Sequence, residues 1–185
     1  MYQYALPILN ERAGTGNPFF SVLLSISNHP PYVIPPYFHP HSDVLEEQIV
    51  EYADWSIRQF MQAAEKQPWF DNTIFVFLGD HGKMVGTPEC EMPQSYNHIP
   101  LMIYGKDIKP GVYDGFGGQV DVSPTLLGLL NISYLQNNFG VNLLEEERPC
   151  MFFTADNLIG ARDSVNMFIL KSASNLNGNL NCSKE

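Results

Sequence analysis

Apolar residues along the chain fall into two kinds of pattern. Short unbroken runs occur at residues 18–26 (PFFSVLLSI), 73–78 (TIFVFL) and 99–104 (IPLMIY). Runs of this length, rich in Val, Ile and Phe and bounded by turn residues, predict strands buried on both faces. Between the first two, Val44, Ile49, Tyr52, Ala53, Ile57, Phe60, Met61 and Ala64 recur at helical spacing. They predict a helix through about Lys66, with Ser42 or Asp43 as its cap and Glu46 and Glu47 in its first turn. Ser123-Pro124 predicts the start of a second, short helix over 125–130. Residues 151–154 and 166–170 predict a late pair of strands, a hairpin or a small sheet. Residues 1–17, with Asn10, Gly14, Gly16 and Asn17, read as a loop-like start. Five prolines between 30 and 40 exclude regular structure there. The Ser/Asn-rich residues 171–185 predict a frayed tail. Strands joined by helical crossovers imply an α/β sandwich, parallel at least in its middle, as one domain over 1–185.

The run at 73–78 stops on Gly79-Asp80-His81-Gly82, and the run at 18–26 stops on Ser27-Asn28-His29. In open α/β sheets ligands collect at the carboxyl ends of strands. A βαβ crossover places the two strand ends on the same edge of the sheet. His29 is therefore expected near Asp80 and His81. One carboxylate oxygen and one imidazole nitrogen suit zinc or manganese, and a nearby imidazole suits proton donation to a leaving oxygen. The plainer reading stays open. An Asp at a strand end also caps turns, and a His beside it also satisfies a carbonyl. His39 and His41 read as solvent-facing, His98 as structural or supporting the site, and Asp54 as a surface residue. Asp121 reads as organising the turn into the second helix.

Composition narrows the classes. A net charge of -10 with scattered Lys and Arg argues against a nucleic-acid surface. Cys90, Cys150 and Cys182 form no CxxC pair and define neither a zinc knuckle nor a disulfide framework. No apolar run approaches the roughly 18–20 residues that span a bilayer. Glycine-rich phosphate loops are absent, so no nucleotide cofactor is expected, and the Gly-x-Ser-x-Gly elbow is absent too.

Taken in order, PFFSVLLSISNHPPY, EYADWSIRQFMQAAEKQPWFDNTIFVFLGDHG, NHIPLMIYG and GGQVDVSPTLLGLLNIS resemble successive motifs of the alkaline phosphatase/sulfatase superfamily. Within it they resemble the lipoteichoic acid synthase and phosphoglycerol transferase branch, from about Phe19 to Ser133. The resemblance implies a three-layer α/β sandwich with a mostly parallel central sheet, here a partial, C-terminal version. It implies that Asp80 and His81 ligate a divalent manganese or zinc ion. It also implies that His29 contacts the substrate phosphate or protonates the leaving group. Substrates would be phosphodiester lipids or glycans, or sulfate esters, handled outside the cytoplasmic membrane.

Family members use a Thr, Ser or formylglycine nucleophile. Thr15 is the only early Thr, in the wrong context, and no Cys-x-Pro-x-Arg signature occurs. The chain is thus expected to lack a nucleophile and to turn over little or nothing alone. It is also expected to self-associate through an exposed sheet edge. The alternative is a non-enzymatic α/β module that binds a glycan, an anionic headgroup or a partner chain.

Overall fold

The computed structural model describes residues 1–84, 86–87, 92, 94–155, 157–171 and 180–182. Cys90 and most of the expected frayed tail, residues 172–179 and 183–185, lie outside the described residues. The chain forms two compact units, Met1–Phe75 with Ile103–Ile108, and Val76–Met102 with Lys109–Glu185.

The first unit is built on two helices. α1 (Tyr2–Gly14) occupies the stretch expected to be a loop. Its apolar residues keep no clear helical stripe, and only Ala5 and Leu9, one turn apart, are buried. Pro7 lies inside it, and such weak patterning with a proline reads as a break in sequence. What holds α1 is tertiary: it packs on α2, and Asn10 Oδ1 accepts the Trp69 indole N–H at 2.7 Å. Thr15, the early Thr, donates its hydroxyl to Arg12 O at 2.7 Å and serves the helix end.

α2 (Leu45–Ala64) follows the predicted stripe, burying Ile49, Phe60 and Ala64. Its N-cap is Val44 rather than Ser42 or Asp43. Ser42 Oγ instead accepts the Val44 N–H at 3.0 Å, closing the turn just before the helix. Phe75, at the start of β1 (Phe75–Leu78), gathers Phe60, Trp69, Phe70 and Tyr104 around its ring at centroid distances of 5.2–6.5 Å. Aromatic contacts of this kind add about 0.5–1.5 kcal/mol per pair beyond area burial.

The proline-rich loop is tied to α2 by Glu51, which accepts the N–H groups of His41 at 2.7 Å and Ser42 at 3.0 Å. The His41 N–H, with Ser42, holds the Glu51 carboxyl below its ordinary value. A depressed carboxyl stabilises the fold above the unfolded pKa of about 4.3, and that contribution is lost as pH falls through the folded value. Thermal midpoints of wild type and Glu51→Gln should therefore differ at neutral pH and converge below about pH 4. A gap unchanged across that range would rule out this tie.

Residues 18–26 depart from expectation. They form no strand. Phe20, Val22, Leu24 and Ile26 are 73–85% exposed, and among the described residues 18–25 make no hydrogen bond. The apolar run has the sequence of a paired strand, while nothing described here pairs it.

The second unit holds α3 (Gln94–Asn97), α4 (Gln119–Leu129) and a four-stranded antiparallel sheet. β1 and β2 (Leu101–Tyr104) pair as a two-stranded sheet. Both are only partly buried, with Leu78 and Met102 exposed, rather than covered on both faces.

The antiparallel sheet runs β3 (Met151–Ala155), β4 (Leu158–Arg162), β5 (Met167–Lys171) and β6 (Leu180–Cys182) in chain order. The two late runs thus flank β4 instead of pairing with each other. β4 was hidden because LIGAR carries Gly160 and Ala161. Gly160 is needed there, since any Cβ would overlap the ring of its cross-strand partner Phe153. One face of this sheet buries Met167 and Ile169 with Met92, Phe153 and Leu158. The other leaves Phe152, Ile159, Phe168 and Leu170 exposed.

Candidate metal and proton-transfer site

Asp80 and His81 follow directly from β1, where Gly79 N–H donates to Pro100 O at 3.2 Å. The next residue fixes the turn. Gly82 N–H donates to Tyr96 O at 2.8 Å, and a Cβ at Gly82 would fall on the Ser95 carbonyl oxygen. Only glycine allows that approach. The His81 ring stacks on Tyr96, centroids 5.3 Å apart and planes 18° apart.

Both polar side chains have one atom used and one open. Asp80 Oδ1 accepts the His81 backbone N–H at 3.0 Å. His81 Nδ1 lies 2.7 Å from Gly82 O. A carbonyl can only accept, so Nδ1 carries the proton, and in the neutral ring Nε2 holds the free lone pair. Asp80 Oδ2 lies 3.9 Å from that Nε2. This is beyond a hydrogen bond. It is within twice the ~2.0–2.1 Å ligand distance of zinc, so one ion can touch both atoms. Metal-bound histidines commonly donate the other ring N–H to a carbonyl, the arrangement His81 has with Gly82. The pair therefore fits a divalent ion. Among the described residues no group of three or more His, Cys, Asp or Glu side chains could hold one.

His29 belongs to the first compact unit, and its local geometry repeats that of His81. Nδ1 lies 2.9 Å from Pro30 O, which leaves Nε2 outward. His41 is solvent-facing, as expected, with 97% of its side chain exposed. Asp54 is a surface residue paired with Arg58 at 3.0 Å. Cys150 is a free thiol.

Sequence reasoning missed the supports behind the pair. α4 begins at Gln119, not at Ser123, and Pro124 lies inside it. Proline leaves the Val120 carbonyl without its helical donor, and Gly140 is packed tightly against that oxygen. The helix starts early because Asp121 caps it. Its fully buried carboxylate accepts Gly118 N–H at 2.9 Å and Val141 N–H at 2.8 Å, and pairs in bidentate fashion with Arg148. Donating to the Asp121 carboxylate holds the Arg148 pKa above its ordinary value. From the first residue of that helix, the Gln119 side-chain amide donates to Asp80 O at 2.8 Å and to Gly79 O at 3.2 Å. The signal was present in the GGQVD motif, but nothing in the sequence says which backbone atoms a glutamine will reach.

The chain is 28% identical over 158 residues to a lipoteichoic acid synthase-like protein of Bacillus subtilis, covering 71% of this chain and 25% of that protein. A choline-sulfatase of Rhizobium meliloti is 29% identical over 121 residues, covering 58% and 22%. The chain spans about a quarter of the length of the first of these relatives. A solved structure from Vibrio parahaemolyticus, described as a protein in the alkaline phosphatase superfamily, superposes with a TM-score of 0.83 at 26% identity. That match covers 93% of this chain and 43% of the other. The fold is accordingly an alkaline phosphatase-like α/β fold, in part. The sulfatase family model matches residues 1–132, well over half of the sequence, and the chain belongs to the sulfatase family, in its lipoteichoic acid synthase-like branch.

Proposed function

We propose that this chain supplies part of a metal-dependent transfer site for phosphodiester or sulfate-ester substrates. The observation that carries the reading is the open Oδ2 of Asp80 beside the open Nε2 of His81, with the other atom of each side chain already fixed. A bound manganese or zinc ion would supply Lewis-acid stabilisation of charge on the attacked group. Asp80 and His81 would hold and orient that ion. His29, whose Nδ1 contacts Pro30 O and leaves Nε2 outward, would serve as the proton donor to the leaving oxygen.

The likeness to lipoteichoic acid synthases supports the phosphodiester class, for which we propose a phosphoglycerol-type donor. The likeness to a choline-sulfatase leaves sulfate esters as the neighbouring class. By likeness to the lipoteichoic acid synthases, the reaction would run outside the cytoplasmic membrane. No helix among the described residues is long and apolar enough to cross a membrane.

Two further points belong to the proposal. The early Thr15 hydroxyl is bonded to the end of α1, and the attacking group is proposed to come from outside this chain, which alone would turn over little or nothing. The chain also self-associates through the bare segment 18–26. That segment equally supports a second reading, an α/β module whose task is to bind another chain.

The test is a titration of Mn²⁺ and Zn²⁺ into wild type, Asp80→Ala and His81→Ala. Binding should be weak in wild type and lower by at least about tenfold in either variant, since even supporting residues cost 10–100-fold. Equal binding by all three would exclude Asp80 and His81 as ligands and favour the binding module.

A further inference from the structure

We infer that Gln119 is the positioning residue of the Asp80–His81 pair and sets its metal affinity. The inference rests on the function proposed above and concerns a residue outside the pair. Gln119 is the first residue of α4, whose start is clamped by Asp121 and Arg148. Its amide nitrogen spans two consecutive carbonyls, Gly79 O and Asp80 O, as β1 gives way to the turn. A primary amide has two N–H donors, enough for both.

The backbone on either side of Asp80 is thereby tied twice. The carbonyls of Gly79 and Asp80 are held by Gln119, and Gly82 N–H is held by Tyr96 O. Between these ties the Asp80 and His81 side chains have little freedom. Their open atoms stay 3.9 Å apart instead of turning separately into solvent. Both side chains are at least half exposed, so apart from the stack of His81 on Tyr96 packing restrains them little. Preorganisation then comes largely from hydrogen bonds to the main chain, and a metal ion binds more tightly to ligands whose orientation is already fixed.

A purely structural glutamine would affect stability and leave the pair's geometry alone. The test uses Gln119→Met, which removes the donors at similar volume, and Gln119→Glu, which turns an acceptor toward the two carbonyls. In the metal-free full chain, the ¹⁵N shifts of His81 should report loss of the fixed Nδ1–H form in both variants, while circular dichroism shows unchanged helix content. Zn²⁺ affinity should fall about tenfold in Gln119→Met and no less in Gln119→Glu. His81 ring shifts identical to wild type in both folded variants would overturn the inference, whatever the metal does. Zinc binding unchanged in Asp80→Ala would overturn the proposed metal site instead, and the metal-free spectra would still decide the role of Gln119.

Discussion

Replacing Arg148 with Met is expected to lower the free energy of unfolding by about 3–5 kcal/mol, the cost of stranding a buried charge. Asp121 is fully buried, Arg148 keeps only 14% of its side chain exposed, and the guanidinium meets the carboxylate through both Nε and Nη2. Methionine would fill much of the same space but leave the carboxylate with two backbone N–H groups and no counter-charge. Domains of this size are stable by roughly 5–15 kcal/mol, so such a loss is a large share of the total. Urea denaturation measures it.

A second variant separates charge from packing. Arg148→Met combined with Asp121→Asn carries a neutral amide whose oxygen still accepts one N–H, and it should recover part of the loss. If the double variant is less stable than Arg148→Met alone, the cost lies in the hydrogen bonds of Asp121 and not in its charge. Either way the effect reaches the site, since the clamp fixes the helix end from which Gln119 holds Asp80.

The helix around Ile49, Phe60 and Ala64 was legible because a 20-residue amphipathic stripe depends on little but its own spacing. The strand-end placement of Asp80 and His81 was legible for the same local reason, an apolar run cut off by polar residues and glycine. What was not legible depended on distant atoms. α1 needs Trp69 to anchor Asn10, 59 positions away. β4 is held in register by its neighbours despite a glycine whose only asset is the room it leaves for Phe153. Asp121 was read as organising the turn, and it does so. Its partner Arg148, 27 residues on, carries no mark in the sequence. Residues 18–26 show the converse case. Their pattern states plainly that they want a partner on each side, and a pattern cannot say whether the partner is in the same chain.

The chain should therefore associate in a concentration-dependent way through residues 18–26, as an antiparallel pair of identical segments from two copies. A two-fold axis makes paired strands antiparallel and keeps Phe20, Val22, Leu24 and Ile26 of both copies on one face. Each backbone hydrogen bond so formed contributes about 0.5–1.5 kcal/mol net, and each apolar cross-strand pair about 0.2–1 kcal/mol. With some eight such bonds, the sum roughly matches or modestly exceeds the 4–15 kcal/mol cost of association. Sedimentation should then show a weak, reversible dimer with a dissociation constant on the order of millimolar.

Val22→Pro removes a donor from the middle of the pairing edge, where proline is not tolerated in a paired strand. Val22→Lys with Leu24→Lys makes the apolar face polar. Both should sediment as monomers. The lysine variant brings the net charge of -10 nearer to zero, so electrostatic repulsion could not account for its dissociation. Val22 and Leu24 are each 73% exposed, so neither change should disturb the folded chain. Wild type that stays monomeric up to about 1 mM, where such a constant puts about half the chains in dimers, would exclude pairing between copies. So would variants that associate as wild type does.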